Sequence, residues 1–288
     1  MSFEFVHFED LAEPLTVDRN LQSCQVAGLS LKQLQEQFLA PLNDLNNTVY
    51  ICSNAWLSES AVDLLLQGQD QILVDGLVLA SVDKQALGSV TGSETSCDSS
   101  FEINYAWDLL KINEFVIAAL SEDKIEGEVC DSAVIEGNVQ IGTSTKILPG
   151  VYIEGNVIIG KDCKVGPNCY IRGNTFIGDN CHVGQSVEIK NSILMNRTNV
   201  GHLSYVGDSV LGAKVNFGAG TTTSNLRHDN SNHHSEIQGK LVNTGRRKFG
   251  VIIGDGVHTG INTSFYPGRK MWPGTTSLPG EVIKKDKK

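Results

Sequence analysis

The sequence predicts a mainly β protein: a left-handed parallel β-helix of hexapeptide repeats, preceded by a small α+β domain. Three observations carry this. An isoleucine, valine or methionine occurs at every sixth residue without a gap, at 135, 141, 147, 153, 159, 165, 171, 177, 183, 189 and 195. Two residues before each sits a small or apolar residue, from Ala133 through Cys163, Cys169 and Cys181 to Ile193, and the residue after is often glycine. The first 120 residues show no such period and read as a mixture of short helices and strands. Period six is neither the 3.6 of a helix nor the 2 of an ordinary strand, but it is the period of a hexapeptide β-helix, whose hexads each make one strand and one turn.

The elements follow in order. Ser30 opens an S-x-x-Q capping box ahead of Leu31, Leu34 and Phe38, which share one helical face. VYIC at 49–52 reads as a strand, and AVDLLL at 61–66 as a helix ended by Gly68. ILVDGLVLA at 72–80 reads as a hairpin turning at Asp75-Gly76. The stretch 86–100 reads as a flexible loop. Helical spacing of Leu109, Ile112, Val116 and Leu120 then leads into the coil. The domain boundaries expected are 1–120 for the α+β part and 121–283 for the coil, with a loop extruded at 226–249 and a basic, solvated tail at 284–288. The hexad period is expected to slip between Met195 and Val206 and to return at Ile253, Thr259, Phe265 and Met271. The inward cysteines are expected to fill core.

Composition narrows the function. A net charge of −10 over 288 residues disfavours nonspecific contact with nucleic acid or an anionic membrane. No apolar run approaches a membrane span. Seven cysteines at irregular spacing, with no C-x-x-C and an amino terminus lacking a basic n-region, point to reduced thiols in the cytoplasm.

Three hexads make one turn, so residues 18 apart stack, and Glu136, Glu154, Arg172 and Lys190 form one column. Rungs about 4.8 Å apart make Arg172 and Lys190 neighbours. Stacked like charges call for an anion or a carboxylate beside them, so the column reads either as a surface ladder in which Glu154 pairs with Arg172 or as a phosphate site. His202 sits at the slip with Tyr205, Asn216 and Asn225 nearby in sequence, and a neutral imidazole suits a general base. Backbone N–H groups of FGAG at 217–220 could approach an oxyanion closely. A competing constellation is metal, in which His228 and His233 at H-x4-H spacing join His202, as in β-helical carbonic anhydrases.

GHLSYVGD at 201–208, VNFGAGT at 215–221 and Asn225, with VEIK at 187–190 and YIRG at 170–173 upstream, resemble the acetyltransferase half of the bifunctional glucosamine-1-phosphate acetyltransferase / N-acetylglucosamine-1-phosphate uridyltransferases. NLRHDN and GRRKFGVIIGDGVHTGINTSFYPG resemble their archaeal branch. The resemblance implies that His202 is the base toward the sugar amine. It implies that Arg172 and Lys190 hold the sugar phosphate, that Tyr205 and Asn216 contact the sugar, and that Asn225 touches both substrate and acetyl group. Ala219 would offer its N–H to the thioester of acetyl-CoA, the co-substrate, with no metal required for acyl transfer. A homotrimer with sites between subunits is implied as well. Two departures stand out. The front part lacks the G-x-G-T-R-type loop of the uridyltransferase half, so uridyl transfer is not expected. Ile261 and Trp272 stand where the family usually has smaller residues along coenzyme A. The other readings are a non-catalytic sugar-nucleotide-binding or scaffold protein and the metal-dependent hydratase above.

Overall fold

The computed structural model describes residues 2–91 and 99–288; the centre of the loop expected at 86–100 lies outside the described residues. The chain folds into two compact units. One comprises residues 1–11, 21–23 and 29–105, and the other residues 12–20, 24–28 and 106–288.

In the first unit a four-stranded sheet pairs Phe3–Val6 in parallel with Val49–Cys52, and Leu77–Ser81 runs antiparallel between Val49–Cys52 and Gln71–Val74. The hairpin turns at Asp75 and Gly76, both with positive φ (51° and 79°), the pair that a two-residue turn between twisted strands requires. Helix α1 (Leu31–Phe38) begins at Ser30, whose side chain accepts from the N–H of Gln33 while Gln33 caps back, so the capping box forms as read. Helix α2 (Glu59–Leu66) buries Ala61, Val62 and Leu65 against Leu42, Ile51, Ile72 and Leu79.

The second unit is a parallel β-helix of about nine turns, built from one six-stranded and two eight-stranded sheets. Its interior is one stack running from Val139 to Ile283, including Ile153, Ile171, Ile189 and Val206, with Cys163, Cys169 and Cys181 buried as core filling. Three faces result. A covered face carries Ile158, Phe176, Ile193, Val210 and Ile252, all buried. Helix α3 (Asp108–Ala118) belongs to this unit, where Asn113 Nδ2 donates to the Asn174 carbonyl at 2.8 Å and Asn156 Nδ2 to that of Ile117 at 3.0 Å. The division falls after Tyr105 and not at residue 120, and these bonds tie α3 to the coil. A lysine face presents Lys146, Lys164, His182, Asn199 and Asn216 on successive rungs. A tyrosine face presents two outward columns: Tyr152, Tyr170, Glu188, Tyr205 and Thr222, and beside it Glu136, Glu154, Arg172, Lys190 and Gly207.

Three expectations need correction. The slip falls earlier than read: Arg172 pairs with Lys190, 18 residues on, but Ile177 pairs with Leu194, 17 on. One residue is lost in the turn at Asn191-Ser192, where Asn191 takes a positive φ of 46°, so Leu194 and not Met195 enters the stack. Second, 226–249 is thrown out of the coil, but as a β-hairpin pairing His234–Ile237 with Lys240–Asn243. Third, the tail is ordered. The Lys270 N–H donates to Asp286 Oδ1 at 2.9 Å, and the Lys287 N–H donates to the Lys270 carbonyl at 2.9 Å. Lys270, with a side chain only 3% exposed, needs Asp286 as its counter-charge (3.5 Å), and that holds the end in place.

Candidate functional site

The tyrosine face gathers four of the residues singled out from the sequence. Arg172 and Lys190 are register partners on adjacent rungs, as the 18-residue step requires. Each cation carries its own carboxylate. Arg172 donates through Nε (2.8 Å) and Nη2 (2.7 Å) to Glu188 Oε1, and Lys190 Nζ donates to both oxygens of Asp208, at 3.0 and 2.8 Å. The surface-ladder alternative would have paired Arg172 with Glu154, but Glu154 accepts from the Tyr170 hydroxyl. Burial works against the Arg172 charge, yet Glu188 more than offsets it and holds the guanidinium above its ordinary value. Arg172 is 35% exposed at its side chain and has only two of its five N–H groups turned to Glu188, so it can still grip an anion.

Tyr205 and Asn225 complete the group. Asn225 Nδ2 donates to the Tyr205 hydroxyl at 3.0 Å and to Asp208 Oδ2 at 2.5 Å. Burial, then the Asp208 and Glu188 carboxylates, push the Tyr205 phenol above its usual range, which keeps its proton available to donate. Gly207 makes the room: a Cβ there would lie 2.7 Å from both Asn225 Nδ2 and Tyr205 Cζ. Asn191 Nδ2 bridges Asp208 (3.1 Å) and Glu114 of α3 (2.7 Å), and Glu114 also pairs with Arg246 at the end of the hairpin loop. Just beyond Asn225 opens a cleft of about 700 Å³ lined in part by Thr222, Ser224, Leu226, Arg227, Tyr266 and Pro267.

His202 and Ala219 stand elsewhere, on the corner between the lysine and tyrosine faces. Backbone bonds from Leu203 to Gln185 (3.0 Å), Gly220 to His202 (3.1 Å) and Asn262 to Ala219 (2.8 Å) stack Gln185, His202, Ala219 and Ile261 as successive corner residues. His202 is exposed. Its position comes from the corner and not from the slip, which lies two corners earlier, at Asn191-Ser192. Asn216 lies on the lysine face, on the rung after Asn199, and so on a different face from Arg172, Lys190, Tyr205 and Asn225. Near it His182 is held below its ordinary value by burial, then by Lys164 and His202.

His228 and His233 do not join His202. His233 is buried, its Nε2 3.0 Å from the Asn225 carbonyl and its ring edge-on to Phe249, while His228 lines the cleft. Among the described residues no three His, Cys, Asp or Glu side chains are gathered as a metal site.

Residues 153–264 match the model of the GMPPB C-terminal domain. The likeness lies in the coil. The bifunctional sugar-1-phosphate nucleotidylyltransferase/acetyltransferase of Sulfurisphaera tokodaii is 40% identical over 185 residues, 64% of this chain and 46% of that protein. Bifunctional protein GlmU of Methanococcus maripaludis strain C7 is 52% identical over 179 residues, 62% of this chain and 43% of that protein. The chain thus matches less than half the length of these archaeal relatives. Among solved structures, UDP-N-acetylglucosamine acyltransferase of Francisella novicida is similar at 18% identity and a TM-score of 0.34, over 58% of this chain and 63% of that one. No helix among the described residues is long and apolar enough to cross a membrane.

The sequence reading missed Asp208, Asn191, Glu188 and Glu114. Asp208 stood in the quoted GHLSYVGD and lies one 18-residue step beyond Lys190, so extending the Glu136–Lys190 column by one member would have found it. The shortened turn makes Gly207 the register partner, and Asp208 reaches Lys190 from the next position.

Proposed function

We propose that the protein is an acyltransferase that moves an acetyl group from acetyl-CoA to the amine of a phosphorylated sugar such as glucosamine 1-phosphate. The observation that carries this reading is the cluster of Arg172, Lys190, Tyr205 and Asn225 on one face, tied together through Glu188 and Asp208, beside a corner that stacks His202 on Ala219. Arg172, and the ammonium hydrogen that Lys190 has left after Asp208, would take the phosphate, and Tyr205 and Asn225 the sugar. His202 would accept the amine proton as nitrogen attacks the thioester carbon. The Ala219 N–H would meet the oxygen on which charge develops. Transfer is direct, and the thiol leaves as free coenzyme A. The relatives named for acetyl transfer support the reading. Release of thiol from acetyl-CoA, dependent on an amino-sugar phosphate across a panel of such acceptors, tests it.

Arg172→Ala is expected to raise KM for the phosphorylated acceptor about ten- to a hundred-fold, the loss of a charge-assisted hydrogen bond of roughly 1.5–3 kcal/mol, and to leave KM for acetyl-CoA unchanged. Unchanged acceptor KM would favour the second reading, a non-catalytic scaffold in which Arg172–Glu188 and Lys190–Asp208 are structural pairs. That reading has its own support, since both cations are matched by carboxylates within the chain.

The reading includes a homotrimer. Along the coil Lys146 lies between Glu136 and Glu154, and Lys164 follows Glu154, so lysines on one face alternate with carboxylates on the other. A threefold axis along the coil keeps that alternation and sets the lysine face of one copy against the tyrosine face of the next, a head-to-tail contact that closes at three. Asn216 of the partner subunit would then reach the site that its own chain's fold keeps it from. Light scattering is expected to give three times the 31.2 kDa chain mass. A fully active monomer would refute this arrangement.

A further inference from the structure

Asp208 is the most heavily bonded side chain of the site, and its carboxylate is only 3% exposed. Oδ1 accepts from Lys190 (3.0 Å) and Asn191 (3.1 Å), and Oδ2 from Lys190 (2.8 Å) and Asn225 (2.5 Å). Four N–H donors fill the acceptor positions of a carboxylate and leave it nothing to donate. An amide beside it must therefore turn its nitrogen inward. Both hydrogens of Asn225 Nδ2 are spent, one on Asp208 and one on the Tyr205 hydroxyl. What Asn225 has left is its carbonyl oxygen Oδ1, with which no donor is paired among the described residues.

We infer that Asp208 is a positioning residue that locks the Asn225 amide with its oxygen toward the acceptor, and that this lock makes the site select an amine over a hydroxyl. The inference rests on the acyl-transfer reading above. A neutral amine has two hydrogens and one lone pair. The lone pair attacks the thioester carbon, one hydrogen bonds to Asn225 Oδ1, and the other faces His202. The C–N bond forms, His202 takes one proton, and the C–S bond breaks. The departing thiolate then recovers that proton, giving amide and free thiol. A hydroxyl has one hydrogen. If His202 receives it, a lone pair is left facing the Asn225 oxygen, two acceptors with no proton between them. An unmade hydrogen bond in a desolvated site costs more than a made one returns.

The test compares glucosamine 1-phosphate with glucose 1-phosphate, both with acetyl-CoA, in wild type, Asp208→Asn and Asp208→Glu. Wild type is expected to favour the amine by about a hundred-fold or more in kcat/KM. Asp208→Asn, whose own amide lets Asn225 turn over, also alters Lys190 and so the phosphate contact common to both acceptors, but is expected to lose about ten- to a hundred-fold more with the amine than with the hydroxyl. Its KM for acetyl-CoA should not move, and Asp208→Glu should recover part of the preference. Equal proportional losses with the two acceptors, or an intact preference for the amine, would overturn the inference. If Asp208→Asn does not fold, Asn225→Leu, which removes the carbonyl at similar size, must lose the same preference.

A second measurement does not depend on turnover. The Asn225 side-chain N–H signals, assigned by their loss in Asn225→Asp, should exchange slowly in the ligand-free protein and quickly in Asp208→Asn. Fast exchange in the wild type would remove the lock. Slow exchange with no acyl transfer on any acceptor would sink the proposed function and leave the lock standing; calorimetry then decides selectivity, since equal affinity for the two sugar phosphates would end that part of the inference.

Discussion

His202→Ala is expected to lower turnover by about 10²- to 10⁴-fold while KM for both substrates changes little, the usual cost of removing a general base. Steady-state kinetics with acetyl-CoA and glucosamine 1-phosphate measures it. The structural cost should be small. His202 is exposed, and what ties its position to its neighbours is its carbonyl, which accepts from Gly220 N–H (3.1 Å) and Ser204 Oγ (2.7 Å). Those bonds survive the substitution, so a melting temperature close to wild type belongs to the prediction. The contrast with Arg172→Ala is diagnostic. An anion contact made equally in ground and transition states appears in KM, and proton removal made only in the transition state appears in kcat. If His202→Ala retains nearly full turnover, the corner is only a turn of the coil.

Ile189→Ala is expected to cost about 2–5 kcal/mol, measurable as a lower midpoint in urea unfolding. Ile189 is fully buried and sits between Ile171 below and Val206 above, where the hydrogen-bonded ladder keeps rung spacing and prevents collapse around a cavity. Its neighbours in the chain are Glu188 and Lys190, which face outward and hold Arg172 and Asp208. Loosening this rung should therefore raise acceptor KM along with the loss of stability. A variant with wild-type stability would mean that the interior around Ile189 can repack, contrary to the regular stack.

Much of the coil is written locally. A hexad with an apolar residue at a fixed place can bury it in only one way once neighbours repeat the pattern, so period six carries both the architecture and the stacking of residues 18 apart. That is why the sequence alone places Arg172 and Lys190 side by side. The same logic located the Ser30 cap and the Asp75-Gly76 turn, whose signals span four residues or fewer.

What failed in the reading was a count and a set of partners. One residue lost at Asn191-Ser192 changes every later register, and the choice between Leu194 and Met195 for the interior is settled only by pairing with Ile177. Both are apolar, so the pattern alone accepts either. The partners of the two cations were legible to different degrees: Asp208 lies one 18-residue step from Lys190 and only extends the column, whereas Glu188 lies 16 residues from Arg172 and competed with Glu154 until side-chain reach across the rung decided. Asn216 shows the same limit from the other side. Its sequence distance from Tyr205 is short, but three strands per turn carry it to a different face. The repeat, being periodic, was determined by the sequence itself; the carboxylates that tie the site together pair across the registers and not along them, and only the tertiary structure, by bringing specific rungs together, decided which of them meet.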